Sequence, residues 1–351
     1  MVVGIPVSWA SIRKPSSIPP RANSLSPVES DAGVFTDLLT NLGVKGVQFE
    51  ELLSLEPDAL AQLHPVYGVI FLFKYPTNEP YRGTDKPKDG VFDYDASERL
   101  FFAHQTIQNA CGTQALLSVL LNKADPSVTQ EGEAGQIDIG DKLRDFREFT
   151  IALPAEIRGE ALSNSELIRD THNSFARSSP FIDETQRRPD EEDGDAFHFI
   201  AYSPIGGTLY ELDGLQPAPI SHGACTQEDF PQKVMDVLQR RIARYDASEI
   251  RFNLLAMIRD LRIRAREFAD EDLLASEERK REAWRFENAL RRHNFVGFAG
   301  EILKGVVSQK LEAGGSAYDD WVSQGKKKME KRAAEQRSRK GGEAEDIEMQ
   351  G

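Results

Sequence analysis

The chain has 351 residues, a net charge of −14 and a hydrophobic fraction of 40% with 9% aromatics, enough for a sizeable core in two or three domains. The acidic balance argues against a general nucleic-acid binder and suits basic partners, and no apolar run approaches the length that spans a bilayer. Two cysteines, Cys111 and Cys225, give no disulfide framework and point to a reducing setting, while the scattered histidines show no zinc-ligand spacing, so neither metal nor cofactor is expected.

Residues 1–27 carry Pro6, Pro15, Pro19, Pro20 and Pro27 among serines and are expected to be a disordered or variable lead-in without a signal peptide. From residue 28 the texture is that of a folded domain. Ser30 or Asp31 can cap a helix beginning near Ala32, whose Val34, Leu38, Leu39 and Leu42 recur at helical spacing up to Gly43. Gly68 to Lys74 is short, apolar and β-favouring, the pattern of a buried strand, and 76–94 is rich in loop-forming residues.

That loop leads into Gln105-Thr-Ile-Gln-Asn-Ala-Cys111-Gly-Thr-Gln-Ala-Leu-Leu117. Cys111 falls between a polar turn and the apolar run Ala115 to Leu121, which reads as a buried helix. Backbone N–H groups at a helix start lack intrahelical partners and carry positive partial charge, a setting that favours a thiolate. Gln105, six residues upstream, supplies a neutral amide donor to face an oxyanion growing beside Cys111, and Asn109 is expected to shape the turn.

A weakly hydrophobic tract covers about 124–140, and Ala161 to Ala176 reads as a helix with Ser163 or Ser165 as its cap. Residues 178–195, with Pro180, Pro189, Gly194 and the acidic run Asp190 to Asp193, predict a long surface loop. Ala196–Tyr202 and Thr208–Asp213 are β-type, and Ser203–Gly207 supplies the turn of a hairpin. Antiparallel pairing about a midpoint inside that turn sets His198 across from Asp213, give or take a register step. Glu228–Tyr245 then reads as a helix and Glu249–Ile258 as a long strand. The segment 264–293 is charged and helix-favouring, and His293–Val307 is an apolar patch on a second helix.

A free cysteine is most often inert packing, and a histidine on a strand is most often a satisfied, half-buried side chain. The combination reads differently. Cys111 at a helix start, Gln105 upstream, and His198 and Asp213 expected to touch make the nucleophile, base and orienter of a cysteine hydrolase. Cys225, close to His222 in a loop, reads as structural. The basic run in 326–340 reads as a solvated helix or tail, so no specific nucleic acid or membrane is an expected partner.

Gln105-x-x-x-Asn109-Ala110-Cys111-Gly112-x-x-x-Leu116-Leu117 resembles the active-site signature of the ubiquitin carboxyl-terminal hydrolases, and Phe197-His198-Phe199 with Glu211-Leu212-Asp213-Gly214 matches the rest of the triad. Glu29–Phe35, Ser54–Pro57, Asn173–Arg177 and Glu249–Leu254 are similar to the proteasome-associated subgroup of that family. Ser118 stands where many members have His, outside the triad. The resemblance implies an α+β, papain-like fold with a central antiparallel sheet flanked by helices, a knotted backbone and a crossover loop, mapped here onto about 173–195. It implies a catalytic domain over 28–262, a helical C-terminal extension over 263–325 and a charged tail over 326–351.

It further implies hydrolysis after the C-terminal glycine of ubiquitin, with Cys111 as nucleophile, His198 as base and proton donor, Asp213 as orienter and Gln105 in the oxyanion hole. A narrow cleft with acidic flanks would suit ubiquitin's basic tail and its two terminal glycines. Ubiquitin is thus the first implied partner. The subgroup adds a proteasomal ubiquitin receptor docked on the extension, an adaptor of a chromatin-remodelling complex, and a cytoplasmic and nuclear location. The competing reading is a catalytically silent ubiquitin-binding scaffold subunit, which an intact Gln, Cys, His and Asp set disfavours.

Overall fold

Asp31 opens the first helix and Gly43 closes it. The Asp31 carboxylate accepts from the Gly33 and Val34 N–H groups of α1 (Ala32–Leu42) at 2.7 and 3.1 Å, and Gly43 takes the left-handed φ of 93° that a side chain resists. The computed structural model describes residues 31–75, 86–107, 110–124, 137–174, 197–246, 249 and 251–331. The expected lead-in, Asn109, most of the 124–140 tract and nearly all of the 173–195 loop lie outside the described residues. Described residues up to Arg292 form one compact unit, and those from His293 form a second.

In the first unit α1 leads to β1 (Val47–Glu51), α2 (Pro57–Ala61), β2 (Val66–Lys74), β3 (Val91–Phe92), α3 (Tyr94–Arg99), α4 (Cys111–Lys123) and α5 (Gly140–Thr150). There follow α6 (Ala155–Asn164), α7 (Glu166–Asn173), β4 (Phe197–Ile205), β5 (Thr208–Leu212), β6 (Ile220–Ala224), α8 (Phe230–Ile242), β7 (Asn253–Arg259), α9 (Leu261–Glu267) and α10 (Glu271–Arg292). The strands form one seven-stranded antiparallel sheet in the order β1-β7-β2-β4-β5-β6-β3. The unit is α+β and papain-like.

Both faces of the sheet are covered, which explains why β2 reads as an unbroken apolar run. Ile70, Leu72, Phe199 and Ala201 pack toward Leu116 and Leu120 of α4. Phe71, Ile200 and Tyr202 pack toward Val234 and Leu238 of α8 on the opposite face. Every residue of α4 is buried. Its polar side chains are therefore hydrogen-bonded inward, among them Gln114, Asn122 and Lys123, whose ammonium donates to the Pro204 carbonyl.

Several elements depart from expectation. The predicted helix over Ala161–Ala176 is two helices, because Ser165, at ψ 116°, leaves the helical region to end α6 and cap α7. The hairpin turn is two residues, Gly206 and Gly207 at φ 56° and 76°, which matches the sheet's twist better than a five-residue loop. Pro204 therefore lies inside β4, beyond the point where pairing with β2 ends at Tyr202, so its missing N–H costs no bond on that side. The expected strand over Glu249–Ile258 begins only at Asn253, and the charged helix of 264–293 breaks at Ala269, a non-glycine residue with φ 52°.

The boundary between the expected domains also falls differently in space. Rather than leaving with an extension after residue 262, α10 packs on α1: a Cβ on Gly33 would lie 2.6 Å from Trp284 Cγ, Asn288 Nδ2 donates to the Gly33 carbonyl at 3.1 Å, and Arg291 pairs with Asp31 at 3.1 Å. The second unit contains α11 (Val296–Glu312) and a further helical stretch over 317–331. No residue of α11 is buried, and Phe298, Ile302 and Leu303 are 63%, 52% and 55% exposed. Among the described residues no helix is long and apolar enough to cross a membrane.

Candidate active site

Cys111 is the first residue of α4, where its own N–H belongs to the set that a helix leaves without internal partners. Thr113 Oγ1 in the same turn lies 2.8 Å from His172 Nδ1 of α7, an imidazole that burial lowers to about 4 and so keeps neutral.

His198 is the second residue of β4. It shares a side with Ile200 and Tyr202, the face that looks on α8, whereas α4 covers the other face. The sheet ends beside it, and Cys111 lies close enough to add to the electrostatics of its ring. Its Nε2 lies 2.7 Å from Asp213 Oδ1, an oxygen that also accepts from the Leu215 N–H at 2.9 Å. A carboxylate only accepts, so Nε2 carries a hydrogen and donates it to Asp213, which leaves Nδ1 for the thiol. Burial alone would lower the imidazole, but the charge and hydrogen bond of Asp213, aided by Cys111, push it up to about 9.

Asp213 follows directly on β5. The register Ala201↔Leu212, carried one residue further, sets Asp213 opposite Ile200 rather than His198. A slip of two residues keeps a side chain on its face, so His198 and Asp213 meet as diagonal neighbours.

Gln105 lies on the extended segment before α4. Its Nε2 donates to the Ile107 carbonyl at 2.9 Å, which orients the amide, and its N–H donates to the Gly214 carbonyl at 2.8 Å. The same segment is clamped alternately from two sides. The Leu100 and Phe102 carbonyls accept from Arg158 Nη1 at 2.8 and 2.9 Å, while Asn122 bonds both main-chain groups of Phe101 and Gln114 Nε2 donates to the Ala103 carbonyl at 2.6 Å. Arg158 is buried against carbonyls, and desolvation lowers its pKa.

The structure thus brings Cys111, His198 and Asp213 together and hangs the Gln105 segment on the residue next to Asp213. Arg158 and Asn122 had no place in the sequence reading, and Gln114 and Gly214 entered it only as members of the quoted motifs, without a role. One signal was available: Gln114, Ser118 and Asn122 recur every four residues, a polar stripe on an apolar helix that had to face polar partners.

Fold and site together define a thiol hydrolase of the papain-like class. Residues 25–243 match the model of ubiquitin carboxyl-terminal hydrolase, family 1, and residues 270–311 match a second model described as ubiquitin carboxyl-terminal hydrolases. The chain belongs to the ubiquitin carboxyl-terminal hydrolase family and is a thiol-dependent deubiquitinase. It is 50% identical over 295 residues to ubiquitin carboxyl-terminal hydrolase 2 of Schizosaccharomyces pombe, covering 82% of this chain and 93% of that one. It is 38% identical over 302 residues to ubiquitin carboxyl-terminal hydrolase ubh-4 of Caenorhabditis elegans, covering 81% and 87%. The crystal structure of Trichinella spiralis UCH37 bound to ubiquitin vinyl methyl ester matches with a TM-score of 0.55 at 32% identity, covering 73% of this chain and 97% of that one.

Proposed function

We propose that the protein hydrolyses the peptide, isopeptide or ester bond after the C-terminal glycine of ubiquitin, with Cys111 as nucleophile. The observation that carries this reading is Cys111 at the start of α4 beside a buried His198 whose Nε2 lies 2.7 Å from Asp213 Oδ1. His198 Nδ1 takes the thiol proton, giving a thiolate and an imidazolium that Asp213 keeps aligned. The thiolate attacks the glycine carbonyl carbon, and the oxyanion rests between the Gln105 amide and the Cys111 N–H. The tetrahedral adduct collapses to a thioester as the imidazolium gives its proton to the leaving amine. Water then adds to the thioester, yielding its proton to His198, and the thiolate departs.

A ubiquitin bearing a C-terminal electrophile tests the assignment: wild type is expected to gain one ubiquitin in mass and Cys111→Ala to gain none. An inert wild type, or an adduct that survives Cys111→Ala, sinks it.

The second unit carries the partner reading. The half-exposed Phe298, Ile302 and Leu303 of α11 suit a protein partner that buries them, in keeping with a proteasomal ubiquitin receptor in the cytoplasm and nucleus or a chromatin-remodelling adaptor. Because α10 packs on α1, the informative truncation ends after Arg292. Such a chain is expected to keep its reaction with the ubiquitin electrophile and to lose capture of the purified receptor; retained capture overturns the docking assignment.

A further inference from the structure

His198 belongs to the sheet face that α8 covers and Cys111 to the helix on the other face, so the base and the nucleophile are held by different layers. Phe73 stands directly across from His198 in the β2–β4 register, and the two rings meet edge to face with centroids 5.7 Å apart and planes at 86°. Tyr75, two residues along, meets the same imidazole at 5.9 Å and 86°. Behind Phe73, the Arg241 guanidinium of α8 lies 4.4 Å from the ring centroid, a desolvated cation–π contact.

Arg241 is itself fixed. Its Nη1 donates to Glu211 Oε1 at 2.8 Å, and the Tyr202 hydroxyl donates to Glu211 Oε2 at 2.9 Å, with His222 Nε2 3.3 Å from that same oxygen. Burial would raise the Glu211 carboxyl, but Arg241, His222 and Tyr202 hold it down to about 2, so the anchor stays charged. Glu211 lies on β5 two residues before Asp213, which ties this layer to the orienter's strand.

We infer that Arg241, anchored by Glu211 and stacked on Phe73, is a positioning residue that fixes the ring angle of His198 between Cys111 and Asp213. The bond at Nε2 fixes one atom of the ring, and packing against the ring limits how far it can swing about that bond. The edge-on aromatic blocks the swing only while its own ring cannot flip, and a guanidinium lying on its face prevents the flip. Among the described residues the titratable groups shown against His198 are Asp213, Cys111 and Tyr75, and Arg241 acts on it through Phe73.

The inference rests on the hydrolase reading, and steady-state cleavage of a fluorogenic ubiquitin C-terminal amide across about pH 5–10 separates the two. Phe73→Leu keeps apolar bulk and the buried ion pair while removing the aromatic face. The double variant Glu211→Gln, Arg241→Met removes the cation without stranding a buried charge. Both are expected to lower kcat about tenfold with KM within about twofold, and to move the alkaline limb to lower pH as the Asp213 bond loosens. Arg241→Lys, which restores a cation, is expected to stay nearer wild type. Phe73→Leu decides alone if the double variant does not fold. Wild-type kcat and alkaline limb in a folded variant, a change confined to KM, or a loss confined to thermal stability overturns the inference. Failure of the hydrolase reading looks different, because wild type itself then shows no turnover.

Discussion

Asp213→Ala is expected to lower kcat by up to about 10⁴-fold, the loss that disabling a triad orienter can reach, and Asp213→Asn by less, because here the acceptor oxygen is pinned by a second donor. The reason lies in one atom. Asp213 Oδ1 accepts from both His198 Nε2 and the Leu215 N–H, and an asparagine oxygen in the same place accepts from both, so the tautomer that leaves Nδ1 for the thiol survives. Alanine removes the acceptor, and the imidazole loses both tautomer and orientation. What asparagine lacks is charge. In wild type His198 is pushed up to about 9 with Asp213 as the main raising cause, so the imidazolium persists through neutral pH and is lost as pH rises through about 9. The stability it contributes is accordingly full below its ordinary value of about 6.5 and disappears over that alkaline interval. Asp213→Asn should therefore shift the alkaline limb of kcat toward neutrality. Equal losses in the two variants, or an unmoved limb, would contradict an orienting role with a separate charge effect.

The second large effect is expected at Gly214, one residue on. A Cβ there would fall onto Gln114 Nε2 and within 2.9 Å of the Ala103 carbonyl oxygen and 3.0 Å of the Gln105 nitrogen. Gly214 also accepts the Gln105 N–H, so its backbone joins the orienter to the oxyanion segment. Gly214→Ala is expected to cost about 1–3 kcal/mol, a fall in Tm of roughly 3–10 °C for a unit of this size, and about 10²-fold in kcat from displacement of Gln105. Adding Gln114→Ala should restore only part of the stability, because two of the three obstructing atoms are backbone. Differential scanning calorimetry with kcat on a ubiquitin amide checks both; a variant that melts and turns over like wild type refutes the close packing described.

Local chemistry made much of this legible. Asp31 and Gly43 bracket α1 as their cap chemistry requires, and the helix start at Cys111 followed from a polar turn meeting an apolar run. The meeting of His198 and Asp213 was legible although the register was not, because a two-residue error preserves the face of a strand. Other features depended on contacts that no local pattern carries. Gly159 sits inside α6, where the His104 carbonyl leaves no room for a side chain. Arg158 reads as a surface arginine until the carbonyls of Leu100 and Phe102, 58 and 56 residues away, are seen to converge on it. Arg241 and Phe73 are likewise unremarkable in sequence and become partners only through the α8 layer.

The clasp of α10 on α1 sets a timetable for the newborn chain. Asn288 returns to the Gly33 carbonyl from 255 residues later, and β1 waits for β7 to complete its edge of the sheet. At ribosomal speeds of about 5–20 residues per second, α1 emerges on the order of ten to fifty seconds before the helix that covers it. Through that interval the α1 face that meets Trp284 and Asn288, around Gly33, stays uncovered. A premature stop ahead of α10 is consequently expected to leave Gly33 and Asp31 without Trp284, Asn288 and Arg291.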